Sequence, residues 1–249
     1  MHLAEATWTD ADAADTALAV LPVGSTEQHG PHAPLGTDAL TAEAVAAAGA
    51  EQFEDAHETE VVVAPAIPVG VAEEHRQFTG TLWVSEDTFR DYVRETVESL
   101  ASHGFDRVVV VNGHGGNVDA LRELCGRVTR DTDAYAVPFT WFDAVDAEDV
   151  EMGHGGPVET SILRHLHPEL VREDSLDAAA ENGADRWGDW EGGVNLAYDT
   201  AEFSENGAVG DPREGSERVG ERLFDEACAA LAALLARVAD RDVTVPDHR

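Results

Sequence analysis

Four consecutive valines, Val108 to Val111, run directly into Asn112-Gly113-His114-Gly115-Gly116-Asn117, and this junction restricts the fold more than any other part of the chain. A β-branched run without polar alternation suits a strand whose two faces are both covered by helices. The glycines that follow mark a tight passage from strand to helix. Other short apolar runs lie at 17–23, 60–66 and 135–142. Helical patterns at 38–55, 86–103, 118–130 and 158–167 fall between and after these strands. A last helix over 214–239 sets Leu223, Ala227, Ala230, Leu231, Leu234 and Val238 at helical spacing. Alternating strand and helix predict a parallel sheet between helix layers, with ligands beyond the carboxyl ends of the strands. At 249 residues, without an internal repeat or low-complexity linker, the chain reads as one domain over 1–249.

Fifty acidic residues face sixteen basic ones, for a net charge of −34, and every basic residue is Arg. The acids are dispersed rather than gathered in a tail. Such a field repels nucleic acid and anionic lipid, whose phosphates need cationic partners. A dispersed acidic coat without Lys suits multimolar salt, where repulsion is screened within a few ångströms. We read it as adaptation to a salt-loaded cytoplasm. No apolar stretch is long enough for a membrane span, and the start lacks the pattern of a secretory signal. Cys125 and Cys228 make no disulfide scaffold and read as buried thiols.

Three glycine-framed segments carry the candidate chemistry. In the first, Gly24 to Asp38, Glu27 and His29 are two apart and project to one side of an extended segment. Gly30, Pro31, Pro34 and Gly36 make a stiff loop that returns Asp38 towards them. Two carboxylates and an imidazole at a strand end suit a divalent metal; alternatively Asp38 or Thr37 only caps the next helix. The second segment places His114 among glycines at the end of the valine strand. It is a metal ligand, a structural turn histidine or part of a phosphate-cradling turn, although the turn lacks both dinucleotide spacing and a Lys. The third, Gly153 to Ser161, leads sharply into a helix whose first turn holds Glu159. Glu159 is either a further ligand or a partner of the helix dipole, and His154 is a candidate proton carrier.

The run Leu21-Pro22-Val23-Gly24-Ser25-Thr26-Glu27-Gln28-His29-Gly30-Pro31-His32, with Pro34 to Asp38, resembles the opening signature of the creatininase (creatinine amidohydrolase) family. Asn112 to Asn117 and His154 to Ser161 resemble its second and third blocks in order. Glu74-His75 with Phe78-Thr79-Gly80-Thr81-Leu82 is similar to a further stretch, where the family usually has Pro in place of Thr79. The resemblance implies a three-layer α/β/α sandwich with a mainly parallel sheet. It also implies two divalent metals (Zn, Mn or Fe), hydrolysis of amide C–N bonds in a small-molecule substrate, and a homo-oligomer built from dimers, often a hexamer.

Carried over residue by residue, the resemblance places Glu27 and His114 on one metal, His29 on the other and Asp38 between both. Creatininase proper has a Glu where this chain has Gly116, and another where it has Gly153. Glu159 is the expected substitute ligand, and both departures point away from creatinine. With metals bound, an activated water attacks the amide carbonyl and His154 protonates the leaving nitrogen. Other branches of the family include an archaeal formamidopyrimidine nucleotide deformylase and a peptidase-like member that trims a redox-cofactor precursor. The lysine-free composition directs the substrate expectation to the deformylase. The rival of another class is a non-catalytic metal-binding homologue. His75 and His32 are candidate substrate contacts, for instance to a phosphate, or simply loop histidines. Trp141 and Phe142 either stack on a flat substrate or pack in the core. The 183–193 stretch, with Trp187 and Trp190, reads as a long loop that is a lid or an oligomer contact.

Overall fold

The valine run forms the heart of a parallel sheet in a computed structural model that describes residues 1–147 and 150–243. A short α1 (Trp8–Ala13) precedes β1 (Leu18–Val23), α2 (Thr37–Ala56) and β2 (Val62–Val63). Then come α3 (Glu86–Ser102), β3 (Arg107–Asn112), α4 (Val118–Asp131) and β4 (Tyr135–Thr140). The four strands lie in the order β2-β1-β3-β4, all parallel, with Val20 opposite Val109 and Val23 opposite Asn112. The chain continues through α5 (Pro157–Leu166), α6 (Leu176–Asn182), the two-stranded β5 (Trp190–Glu191) and β6 (Val194–Asn195), and α7 (Glu217–Ala239).

Because strand side chains alternate between faces, β1 and β3 feed two cores. Leu18, Val20, Val109 and Val111 pack with Val45 and Phe53 of α2, Ile162 of α5, and Leu223, Leu231 and Leu235 of α7. Ala19, Leu21, Val108 and Val110 pack on the other face with Phe89 and Val93 of α3 and Leu121 and Leu124 of α4. The result is the expected three-layer α/β/α arrangement. β1 connects to β2 on one side while β3 lies on its other side, so the strand order reverses between β1 and β3. Their carboxyl ends form the crevice where ligands bind in open parallel sheets.

Several boundaries differ from expectation. The 60–66 strand shrinks to Val62–Val63 because Pro65 and Pro68 lack the N–H a ladder needs; only Ala64 and Ile67 still donate to β1. β4 stops at Thr140, and Trp141–Asp143 forms a 3₁₀ turn. α7 starts at Glu217, where the Ser216 hydroxyl accepts from Val219 N–H. The 183–193 stretch contains a strand, with Gly192 and Gly193 at positive φ turning it into β6. Cys125 and Cys228 are free and buried. Among the described residues no helix is long and apolar enough to cross a membrane.

Candidate metal centre

The first turn of α2 is pressed against the ends of both central strands. A Cβ at Gly24 would lie 2.4 Å from Ala39 N, and one at Gly113 would lie 2.2 Å from Asp38 O. Glycine at both positions admits the helix start, and this approach carries Asp38 between the two strand ends. Asp38 caps nothing: the N-cap is Gly36, without a side-chain cap bond, and the Thr37 hydroxyl donates to Pro34 O. Instead Asp38 Oδ1 lies 3.0 Å from His29 Nε2 and Oδ2 lies 3.3 Å from His114 Nδ1. Glu27 Oε1 approaches His114 Nδ1 at 3.2 Å, and Glu159 Oε1 approaches His29 Nε2 at 3.7 Å.

Two buried triads result, Glu27–Asp38–His114 and His29–Asp38–Glu159, which share Asp38. In each, the potential ligand atoms lie within 4.8 Å of one another. A third grouping, Glu27–His29–His154, overlaps them. Both oxygens of Glu27, Asp38 Oδ2 and His29 Nε2 are buried without a hydrogen bond of normal geometry to the protein. Burying polar atoms in this way is costly unless something binds them. The imidazoles are oriented by their other nitrogens, since His29 Nδ1–H donates to Glu27 O and His114 Nε2–H to Val71 O. Each therefore presents one nitrogen to the cluster, as metal-ligating histidines do. The donor set fits a pair of divalent ions.

Electrostatics agree. Burial pushes the Glu27 carboxyl up to about 7, helped by Asp38 and opposed by His114. Burial disfavours charge on His29, but Asp38 and Glu159 outweigh it and hold the imidazolium well above its ordinary range. His114 behaves likewise beside Glu27 and Asp38. Burial opposes ionisation of Asp38, yet His29 and His114 hold its carboxyl well below the usual range. In the metal-free protein a proton on each imidazole thus stands where a cation can replace it.

Glu159 lies in the first turn of α5, where its Oε2 accepts from Gly155 N–H, just before the N-cap, at 2.6 Å, which leaves Oε1 facing His29. Gly116 is closed as a ligand position, because a Cβ there would meet Val71 O at 2.2 Å and His114 Nε2 at 2.5 Å.

The His154 ring packs against His29 with centroids 4.4 Å apart and planes tilted by 31°, and its Nδ1 lies 3.8 Å from Glu27 Oε1. Burial, then the neighbouring His29, pushes its imidazole down to about 4, which favours the neutral ring. His75 also lines the cavity over the cluster, about 610 Å³ in volume and walled by Glu74, Phe142, Glu151, Arg186 and Trp187. Trp187 sits edge-on to both His75 and His154, at 5.7 and 5.8 Å, so the expected loop puts an aromatic side chain on the cavity wall.

Two candidate contacts lie elsewhere. Trp141 is 1% exposed and packs in the core beside α7, while its neighbour Phe142 reaches the cavity. The 3₁₀ turn at the end of β4 sends the two rings different ways. His32 is fully buried off the cavity wall, with Nε2 2.9 Å from Thr160 Oγ1, and burial followed by His29 pushes it down to about 4. It is a structural histidine behind the cluster.

Sequence reasoning missed the supporting residues. Asn112 accepts from His114 N–H and donates to His114 O, and Asn117 ties Gly24 O to Val71 N–H. Both bracket the His114 segment, so two amides flanking a glycine turn were the available signal. Gln28 and Thr200 contact His75 Nδ1. Gln28 stood inside the first motif, whereas no local pattern marked Thr200.

A parallel α/β sheet with buried carboxylates and imidazoles at its central strand ends makes a site able to hold divalent metal. The family model described as Creatininase: Creatinine amidohydrolase matches residues 4–235. A mycofactocin precursor peptide peptidase from Mycolicibacterium smegmatis is 39% identical over 214 residues, covering 84% of this chain and 80% of the relative. A creatinine amidohydrolase from Pseudomonas putida is 30% identical over 204 residues, covering 71% and 75%. The solved structure of a zinc–zinc form of a creatininase mutant superposes with a TM-score of 0.75 at 25% identity, covering 96% of this chain and 98% of that one. The chain belongs to the creatininase family and is an amidohydrolase of that family, acting on amide C–N bonds.

Proposed function

We propose that this chain holds two divalent ions in one domain and cleaves an amide bond within a precursor peptide, as the mycobacterial relatives are named for doing. The observation that carries the dinuclear reading is Glu159 Oε1 facing His29 Nε2 at 3.7 Å, which completes a second triad despite Gly116. Glu27, Asp38 and His114 would hold one ion, and His29, Asp38 and Glu159 would hold the other. Bound divalent ions supply an activated water and polarise the amide carbonyl. The chain's own residues do the rest. His154, neutral and with Nδ1 towards the cluster, takes up a proton and returns it to the leaving nitrogen, which cannot depart as an anion. Trp187 and Phe142 give the substrate apolar walls and restrict water.

The peptide reading is supported by identity to the peptidases and by the cavity lining. A nucleotide phosphate, required by the deformylase expectation, would meet Glu74 and Glu151 with Arg186 as the single Arg among the described lining residues. His75 cannot help as a cation, since burial and His154 depress its imidazole strongly. His32 is out of reach. The reading includes a homo-oligomer, supported by exposed Trp190, Val194, Leu196 and Tyr198 around β5 and β6.

The test is metal content per chain on protein purified in high salt, followed by product analysis. The metal-loaded protein is offered a mycofactocin-type precursor peptide and, separately, the formamidopyrimidine nucleotide. Two metals with peptide cleavage support the reading. Formate release without peptide cleavage would replace it with the deformylase, and absence of metal after reconstitution with Zn, Mn or Fe would sink the metal centre.

A further inference from the structure

Two stacked imidazoles face the same carboxylate oxygen from the cavity side of the centre. The rings of His75 and His154 are 4.4 Å apart and inclined by only 16°. His75 Nε2 lies 3.5 Å from Glu27 Oε1, and His154 Nδ1 lies 3.8 Å from the same atom. Chemically similar and side by side, they are told apart by one residue, Gln28.

The Gln28 amide is fixed in orientation. Its Oε1 accepts from Gly30 N–H at 2.9 Å, and its Nε2 donates to Gly207 O at 3.0 Å. A flipped amide would set oxygen against oxygen at Gly207 and N–H against N–H at Gly30. The second hydrogen on Nε2 then points at His75 Nδ1, 2.8 Å away. Nδ1 must accept it, so the His75 proton resides on Nε2, on the side of Glu27. Thr200 Oγ1 lies 3.0 Å from the same Nδ1, whose single lone pair the nearer Gln28 N–H takes. The main chain of Gln28 does the opposite to His154, because its carbonyl accepts from His154 Nε2–H at 2.6 Å. That leaves His154 Nδ1, which faces Glu27, with a free lone pair. The amide is enclosed: Gln28 is 5% exposed, and a Cβ on Gly207 would strike its Oε1.

We propose that Gln28 is a positioning residue that gives two neighbouring histidines opposite tautomers, and so opposite duties. His154 presents a lone pair and carries the proton. His75 presents a fixed N–H towards Glu27 Oε1 across 3.5 Å, beyond a hydrogen bond of normal geometry, and steers that carboxylate by the pull of the N–H dipole; it takes no part in proton transfer. The inference rests on the metal-hydrolase reading of this site for its functional meaning, but the tautomers are a property of the protein alone.

The deciding measurement is nitrogen NMR of ¹⁵N-imidazole-labelled protein, before and after zinc loading, with His75 signals identified by their loss in His75→Gln. The expected spectrum has His75 protonated at Nε2 and bare at Nδ1. A His75 proton on Nδ1 in the wild type would overturn the proposal, whatever the substrate proves to be. Gln28→Glu replaces the donor at His75 Nδ1 by an acceptor. In that variant the His75 proton moves to Nδ1 and kcat falls by roughly 10–100-fold, as for other outer-shell partners of metal ligands, with KM little changed and the zinc content kept. An unchanged kcat alongside a moved proton would overturn the assigned duty of His75. If Gln28→Glu does not fold, the wild-type spectrum still decides the tautomers, and His75→Gln against His75→Phe decides the duty. The Gln amide restores an N–H donor and retains turnover, whereas Phe does not. Equal losses in both would count against the proposal.

Discussion

The carboxylate of Glu159 faces His29 Nε2 at 3.7 Å, bringing the start of α5 against the loop that leaves β1. On the proposed reading this carboxylate takes the place of the Glu that creatininase proper has where this chain has Gly116. Glu159→Ala is therefore expected to lose one of two ions while Glu27, Asp38 and His114 keep the other. Adding Gly116→Glu to that variant restores nothing, since Val71 O and His114 Nε2 occupy the space a Cβ needs. Metal analysis of the single and double variants checks both statements, and a double variant with two ions would show that the loop yields.

Asp38 is shared by the two triads, so Asp38→Ala is expected to abolish binding of both ions rather than one. Equilibrium dialysis against zinc at fixed ionic strength measures this directly. A full complement of metal in the variant would disprove the bridging role.

His154 belongs to neither triad that contains Asp38, and its removal spares that shared carboxylate. His154→Ala should keep its metals and lose turnover by about 10²–10⁴-fold, the range for loss of a positioned proton carrier. Loss of metal in step with activity would make it a ligand instead.

Metal uptake should release protons. His29 and His114 are held protonated above the ordinary 6.5 by the carboxylates around them, against the effect of burial. Zinc binding around neutral pH displaces both protons and the fraction carried by Glu27, whose carboxyl burial raises to about 7, and calorimetry in buffers of different ionisation enthalpy counts them. The same pairs govern the metal-free fold. With folded values above the unfolded 6.5, their stabilisation is complete below that pH and is lost as pH rises through the raised values. Asp38, depressed below 3.8 by His29 and His114 despite its burial, contributes above that value and loses its contribution on acidification. The chelated protein should therefore lose Tm towards alkaline pH more steeply than the zinc-loaded one. Parallel curves would contradict the assignment.

Trp141 and Trp187 should separate stability from catalysis. Trp141 is buried beside α7, and Trp141→Ala is expected to cost about 3–5 kcal/mol in denaturant unfolding. Trp187 lines the cavity and is 36% exposed, so Trp187→Ala should raise KM with little loss of stability. The reverse pattern would put the substrate on the other side of the β4 turn.

The sheet was legible because its signals are local: four valines in sequence, and glycines where helix and strand meet. Glu27, His29, Asp38, His114 and Glu159 were legible because each stands in a glycine- or proline-framed motif. Trp141 and His32 were not, since one 3₁₀ turn decides which of Trp141 and Phe142 reaches the cavity, and only packing shows that His32 turns to Thr160. The hairpin of β5 and β6 is too short for periodicity to register. Gln28 and Asn117 stood inside motifs, but their partners lie in distant segments, and Thr200 is marked by no local pattern at all.

Gly24 and Gly113 let α2 settle between β1 and β3, and that settling is what delivers Asp38. The helix cannot drift outward by an ångström without withdrawing the Asp38 oxygens from His29 and His114. An error of packing at this junction is at once an error in the placing of the one carboxylate that both triads contain.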